Sequence, residues 1–339
     1  MKLRHLIGAN GSVTALARKH AYFGNPLYYK ARYGLLLWLR ADMGITLGGT
    51  LRGQGTAAPV WTISGTPTRL VGLHLEIDSV AGGTALGQAT YKWSEDNGST
   101  YVATGVLTAA GPSALGTTGL SVAMAAGPYN IDNKWDATLA GCADQSGLGN
   151  HAAQATPANQ PVFSLAGFGG YAAWQTTGGA MGLVTPNLTI GVHTILFAMA
   201  GSNGAATGFF FGNVSPDNYM QNTLTPSSHV EKAAVVSRKE VTSTWLKDGV
   251  RKTAGRTFNG THATHRVYVN GVDANATNGN LTADPGLATA TAPFYVGTRA
   301  AGSGAPALYR EIVVLSAAAP PQVMRALHLG MAARAPGAL

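Results

Sequence analysis

The chain is poor in charge, in cysteine and in long apolar runs, and each shortage removes a class of protein. Charged residues are 11% of its 339 residues, roughly half the usual share of about 25% in soluble domains. A disordered polyelectrolyte is excluded, because such chains pair high charge with few apolar residues, whereas 45% of this chain is apolar. Cys142 is the sole cysteine, so no intrachain disulfide exists and nothing argues for an oxidising compartment. The longest strongly apolar run is Leu35–Leu39, far short of the roughly 20 residues of a membrane span. Membrane insertion is therefore not expected. The opening residues are basic but lack the apolar core of a secretory signal, so the expected route is synthesis in the cytoplasm and release by lysis or assembly.

Acidic residues are missing from one region altogether. Residues 1–41 hold Lys2, Arg4, Arg18, Lys19, Lys30, Arg32 and Arg40 and no Asp or Glu, which places +7 of the net +8 in that segment. A basic arm on a neutral body points to docking on an acidic surface. Nucleic acid is not the expected surface, because a nucleic-acid domain spreads its charge over a folded face with aromatic stacking partners. The arm, residues 1–34, ends in Tyr22, Phe23, Tyr28, Tyr29 and Tyr33. Such a cluster packs on the body or on a neighbouring subunit rather than standing in water. Lys2, Arg4, Arg18, Lys19, Tyr28, Tyr29, Lys30 and Arg32 are the candidate docking residues. Part of Val13–Tyr22 reads as a short helix capped by Ser12.

What is abundant is glycine, with 45 residues, set among short apolar runs broken by Asn, Pro and Asp. That is the composition of many short strands joined by turns. Leu70–Ile77 alternates with period two and puts Val71, Leu73, Leu75 and Ile77 on one face. Glu95-Asp96-Asn97-Gly98 and Val269-Asn270-Gly271-Val272 carry the Asn-Gly hairpin signal. Val323, Leu327 and Met331, spaced by four, read as a short helix over Pro320–Arg334. The polar stretch Asn213–Arg256 reads as long loops at one end of the fold. Residues 48–138 change in character and read as a separate small β-sandwich, leaving 35–47 and 139–334 as a discontinuous larger domain.

Three stretches carry a resemblance. Leu37-Trp38-Leu39-Arg40-Ala41-Asp42, then Asp144-Gln145-Ser146-Gly147-Leu148-Gly149-Asn150-His151-Ala152 with Asn159-Gln160-Pro161, then Val267–Val272, Tyr295-Val296-Gly297 and Arg310–Leu315 occur in that order. Together they resemble the LamG-like, concanavalin A-like jelly-roll domains of many bacterial and phage proteins. Cys142 departs from that pattern, standing where the family has Trp. Residues 61–67 and 91–98 resemble β modules of phage virion proteins. The resemblance implies an all-β fold, a concanavalin A-like jelly-roll sandwich carrying a second, smaller inserted β-sandwich.

Catalytic patterns are thin. Hydrolases of this fold resemble one another in a Glu-x-Asp-x-x-Glu strand; here Glu76-Ile77-Asp78 is followed by Ala81, which leaves the two-carboxylate mechanism without its second partner. Cys142 reads as a buried inert thiol, and His262 with His265 lacks further ligands for a metal. Asp144, Ser146 and Asn150 suit either a Ca²⁺ loop or, preferred here, backbone capping in a tight turn. Trp174, Trp245, Tyr219 and Tyr295 are candidate sugar platforms, of which Tyr219 and Trp245 lie in the most polar surroundings. The expectation is thus a non-enzymatic protein without cofactor or metal: a phage-like virion structural component, displayed on the virion surface with other virion proteins and copies of itself. The alternative is a carbohydrate-binding adhesin for host glycans.

Overall fold

The computed structural model describes residues 25–201, 208–214, 217–222, 227–232, 235–240, 249–274, 277–281, 290–298 and 304–334; for 208–209, 213–240 and 277–290 it describes the backbone alone. The chain is all-β, a sandwich of facing antiparallel sheets with a second, smaller sandwich set into it. At the centre of the first sheet runs the long strand Gly304–Leu315. On one side it pairs with His193–Gly201, from Thr194↔Leu315 to Gly201↔Ala307. On the other it pairs first with Leu35–Arg40 and then with Ala173–Gly179. Lys252–Phe258 and Arg266–Val269 extend this sheet beyond His193–Gly201.

The facing sheet runs Ile45–Leu47, Leu139–Cys142, Ala152–Ala153, Leu183–Ile190, Ala290–Val296, Gly208–Val214 and onward through Asp217–Asn222, Ser227–Lys232, Val235–Glu240 and Thr277–Leu281. Between the sheets lies a core that includes Leu37, Leu39, Ile195, Phe197, Ile312, Leu139, Leu183, Phe211 and Phe294. His193–Gly201 is buried along its whole length. Its odd residues face that core, while Leu196 packs with Tyr29, Tyr33, Trp38 and the helix Pro321–Arg334 on the outer side of the sheet. A strand covered on both faces loses polar alternation and reads as a continuous apolar run. Among the described residues no helix is long and apolar enough to cross a membrane.

The stretch Asn213–Arg256, expected as loops, instead contributes the strands Asp217–Asn222, Ser227–Lys232 and Val235–Glu240 and most of Lys252–Phe258. The correction has a simple cause. Ladder hydrogen bonds join backbones whatever the side chains are, and strands as polar as Asp217–Asn222 carry no apolar alternation to announce them.

The Asp144 loop closes the free side of Leu35–Arg40. The Trp38 amide donates to Asp144 Oδ1 at 2.9 Å, the Gln145 amide donates to the Trp38 carbonyl at 2.7 Å, and Asn150 Nδ2 donates to the Leu36 carbonyl at 2.7 Å. Asp144 also accepts from the Ser146 amide, the Ser146 hydroxyl and the Asn150 amide. Both its oxygens are thereby occupied by the backbone and by Ser146. The loop stands in for a missing neighbouring strand, which protects an otherwise open edge.

Residues 48–138 leave the larger sandwich after Ile45–Leu47 and return at Leu139–Cys142, and those two strands pair with each other, Leu47 opposite Leu139. Within the stretch, Arg52–Gln54, Lys134–Asp136, His74–Ser79, Thr90–Ser94 and Ala103–Leu107 form one sheet in that order. Trp61–Gly65, Leu120–Met124 and Ser113–Ala114 form another. Leu51, Trp61, Leu73, Leu75, Ile77, Tyr91, Trp93, Val122, Tyr129 and Trp135 are buried together between them. The indoles of Trp61 and Trp135 stack at 3.8 Å with planes 6° apart.

Candidate functional site

The five-stranded sheet has one apolar and one polar face because its strands alternate. Trp135 lies opposite Leu75, and Leu75 opposite Trp93, all facing inward. Their neighbours Gln54, Lys134, Asp136, His74, Glu76 and Lys92 face the other way and meet one another. His74 Nδ1 lies 2.6 Å from Asp136 Oδ1 and its Nε2 lies 3.5 Å from Glu76 Oε2. Burial presses the imidazole towards neutrality, but the hydrogen bonds and charges of Asp136 and then Glu76 outweigh it and raise its pKa. Glu76 receives Lys92 at 2.5 Å, Lys134 at 3.1 Å and the Tyr101 hydroxyl at 2.8 Å. Burial favours its neutral form, yet these donors hold its pKa at about 2. A carboxyl so held does not donate protons near neutral pH. Glu76 is thus the centre of a charge cluster with His74, Lys92 and Lys134 on this face.

At its edge this polar face meets the larger sandwich. Arg52, Gly53, Gln54 and Asp136 from the smaller sheet, with Val162, Gln175 and Thr177 from the larger one, line a groove of about 380 Å³. Gln54 Nε2 donates to Asp136 Oδ2 at 2.6 Å, so each oxygen of Asp136 carries one partner, and a carboxylate has about four acceptor positions. Gln175 and Thr177 are exposed alternate residues of Ala173–Gly179, about 7 Å apart on one face. The Gln175 amide makes no side-chain hydrogen bond among the described residues, and the Thr177 hydroxyl makes a long one, to Met181 Sδ at 3.9 Å. Arg52 is partly buried and donates through Nη2 to the carbonyls of Ala158 and Gln160 at 3.1 and 3.2 Å. The groove thus presents open acceptor positions on a fixed carboxylate opposite a free amide and a hydroxyl held only by a long bond to a thioether sulfur. Those groups suit a ligand that both donates and accepts hydrogen bonds. A roomier depression of about 550 Å³ lies at Gly271, Val272, Asp273, Pro321, Gln322 and Arg325. Its walls are mainly apolar, and its carboxylate Asp273 is 3.5 Å from Arg266.

None of the groove residues was a candidate from sequence. They come from four strands of two sheets, 125 positions apart at the extremes, and the one local trace is the outward Gln175-x-Thr177 pair. The residues that were candidates lie elsewhere. Tyr219 is on Asp217–Asn222, opposite His229, and its side chain is outside the described residues, as is Trp245. Trp174 is buried and stacks on Tyr309 in the core. Lys2, Arg4, Arg18 and Lys19 are outside the described residues. Tyr29 is buried beneath the C-terminal helix while Tyr28 is 47% exposed. Lys30 donates to the Ser146 carbonyl at 2.7 Å and Arg32 is exposed, its guanidinium 5.5 Å from the Tyr33 ring. Cys142 is buried, its thiol donating to the Arg40 carbonyl. His262 and His265 are both buried, and the His265 ring meets Phe258 edge-on at 5.9 Å.

No protein-family model and no curated relative matches the sequence. Among solved structures, the chain is similar to the receptor-binding domain of botulinum neurotoxin D, at 9% identity and TM-score 0.43 over 56% of this chain and 50% of that one. It is also similar to domain 4 of an extracellular arabinanase from Geobacillus stearothermophilus in complex with arabinotriose, at 16% identity and TM-score 0.37 over 50% of this chain and 81% of that one. A Trypanosoma rangeli sialidase in complex with sialic acid matches at 10% identity and TM-score 0.41, over 83% and 52%. The chain spans about half the length of the neurotoxin binding domains it matches. At these scores and identities the likenesses say nothing about what this chain binds.

Proposed function

We propose that this chain is a non-catalytic carbohydrate-binding β protein whose ligand lies in the groove between the two sandwiches. The carrying observation is the convergence of Asp136, Gln54, Gln175 and Thr177 on one space, with Asp136 fixed by His74 and Gln54. A carboxylate with open acceptor positions, facing amide and hydroxyl groups, matches neighbouring hydroxyls of a neutral sugar, each of which donates once and accepts. The non-enzymatic reading is supported by Glu76, whose oxygens are committed to Lys92, Lys134, Tyr101 and His74. The test is a panel of neutral cello-, malto-, xylo- and manno-oligosaccharides beside oligogalacturonate and sialyllactose, titrated by calorimetry. Neutral members should bind wild type, and Gln175→Ala with Thr177→Ala should weaken binding roughly tenfold or more, the equivalent of one or two lost hydrogen bonds. Absence of binding across the panel, or binding indifferent to both substitutions, refutes the site.

We further propose the virion surface as the place where the protein works, with other virion proteins and copies of itself as partners. This reading is supported by the sequence alone, through the resemblances of residues 61–67 and 91–98 and the +7 carried by residues 1–41. Density-gradient fractionation of a native lysate tests it. Co-sedimentation with particles at a fixed copy number supports the reading, and recovery only at the top of the gradient removes it.

A further inference from the structure

The two walls of the groove belong to different sandwiches, so its width depends on how one is held against the other. The grip is concentrated on residues 158–165. Arg52 holds the carbonyls of Ala158 and Gln160. Asn97 holds the other end: its Nδ2 donates to the Phe163 carbonyl at 3.0 Å, and the Leu165 amide donates to its Oδ1 at 2.6 Å. Val162, which lines the groove, lies between the two grips.

Asn97 is at the tip of a hairpin, with φ 58°, followed by Gly98. A tight hairpin turn asks for a residue that tolerates positive φ, and Asn, Asp and Gly all satisfy it. The turn does not ask for an amide that reaches another sheet and pairs with a donor and an acceptor two residues apart. That pairing copies what a strand backbone does. The tip is stiff enough to hold the amide in place. Ser94 Oγ donates to Asp96 Oδ1 at 2.6 Å, Asp96 accepts from the Thr100 amide and hydroxyl, and the Asn97 amide donates to the Gly72 carbonyl at 2.7 Å. Room for the side chain comes from Gly72, where a Cβ would stand 2.0 Å from Asn97 Oδ1.

We infer that Asn97 is a positioning residue that fixes the width of the groove from outside it, an inference that rests on the groove being the ligand site. The experiment uses the full chain with spin labels at Ala81→Cys and Asn187→Cys, one exposed position in each sandwich; the native thiol is buried. Electron–electron resonance then reads the distance between the sandwiches in wild type and in Asn97→Gly, which keeps the positive φ and removes both amide bonds. Asn97→Asp serves as the second variant, because it keeps the acceptor but sets a carboxylate against the Phe163 carbonyl.

Both variants should shift or broaden the distance distribution. Both should also weaken binding of the panel's tightest neutral oligosaccharide roughly tenfold, the scale of one or two hydrogen bonds, although Asn97 does not line the groove. An unchanged distribution in both variants overturns the inference whatever binds. A broadened distribution with unchanged affinity overturns the control of the site. Failure of wild type to bind any sugar sinks the proposed function, and the distances alone then decide whether Asn97 sets the width.

Discussion

Replacing Arg334 with Met should loosen the C-terminal helix from the sheet it covers. Arg334 Nη2 is 2.7 Å from Glu311 Oε1 and its Nε is 3.0 Å from Oε2, while Trp38 Nε1 donates to Oε1 at 2.7 Å. Glu311 is 1% exposed and Arg334 17%, so the substitution leaves a buried carboxylate with one neutral donor. Removing one partner of a buried pair costs about 3–5 kcal/mol. Water reaches Arg334, which screens the pair and brings the cost to or below the bottom of that range, about 2–3 kcal/mol, or roughly 30- to 150-fold in the local opening equilibrium. Hydrogen exchange of the amides in Leu35–Arg40 and Pro321–Arg334 reads that equilibrium directly, without assuming that two sandwiches unfold together. The paired control is Glu311→Gln with Arg334→Met, which keeps an acceptor for Trp38 and removes the stranded charge. It should recover at least half of the lost protection. Unchanged exchange in Arg334→Met, or a double variant no better than the single one, refutes the reasoning.

Three shorter expectations follow from other residues. Burial raises the pKa of Asp42, but hydrogen bonds from Arg40 and Arg310 outweigh it and hold it at about 2, below the ordinary 3.8. Its contribution is present above pH 3.8 and lost as pH falls towards 2, so the stability gap between wild type and Asp42→Asn should close over that window in acid titrations. Burial pushes the Cys142 thiol up to about 12 from 9.0. Alkylation at pH 8 should therefore be slower by about three orders of magnitude in the native chain than in denaturant, since the thiolate is the nucleophile; comparable rates would contradict the burial. Trp135→Ala removes half of the Trp61 stack and should cost about 3–5 kcal/mol, seen as loss of exchange protection in residues 51–137 with Gly304–Leu315 unaffected.

Legibility in the sequence followed the physics of each element. Val71, Leu73, Leu75 and Ile77 announce a face because that side of the extended stretch leading into His74–Ser79 is wholly buried, and all four are at most 2% exposed. The Asp144-x-Ser146 pattern is readable because its bonds are mostly local, two to six residues apart. Its reach to Trp38, 106 positions away, leaves no local mark. The strands within 213–240 were hidden by their polarity. The groove was hidden for a different reason: Asp136, Gln54 and Gln175 become neighbours only through sheet order and the packing of two sandwiches. Even Asn97 shows the limit. Its turn is written in Asn97-Gly98, whereas its grip on Phe163 and Leu165 depends on where the hairpin tip comes to rest.

The pairing of Leu47 with Leu139 makes the smaller sandwich, topologically, the turn of a hairpin. Both its ends emerge side by side, and the larger fold meets about ninety residues as it would meet two. In the unfolded chain that contact is remote, and closing so long a loop is entropically unfavourable. Once the smaller sandwich has formed, the same contact becomes local. Order of assembly is then written into the connectivity: the inner unit acts as a clasp that shortens the outer chain, turning a slow long-range search into a hairpin closure.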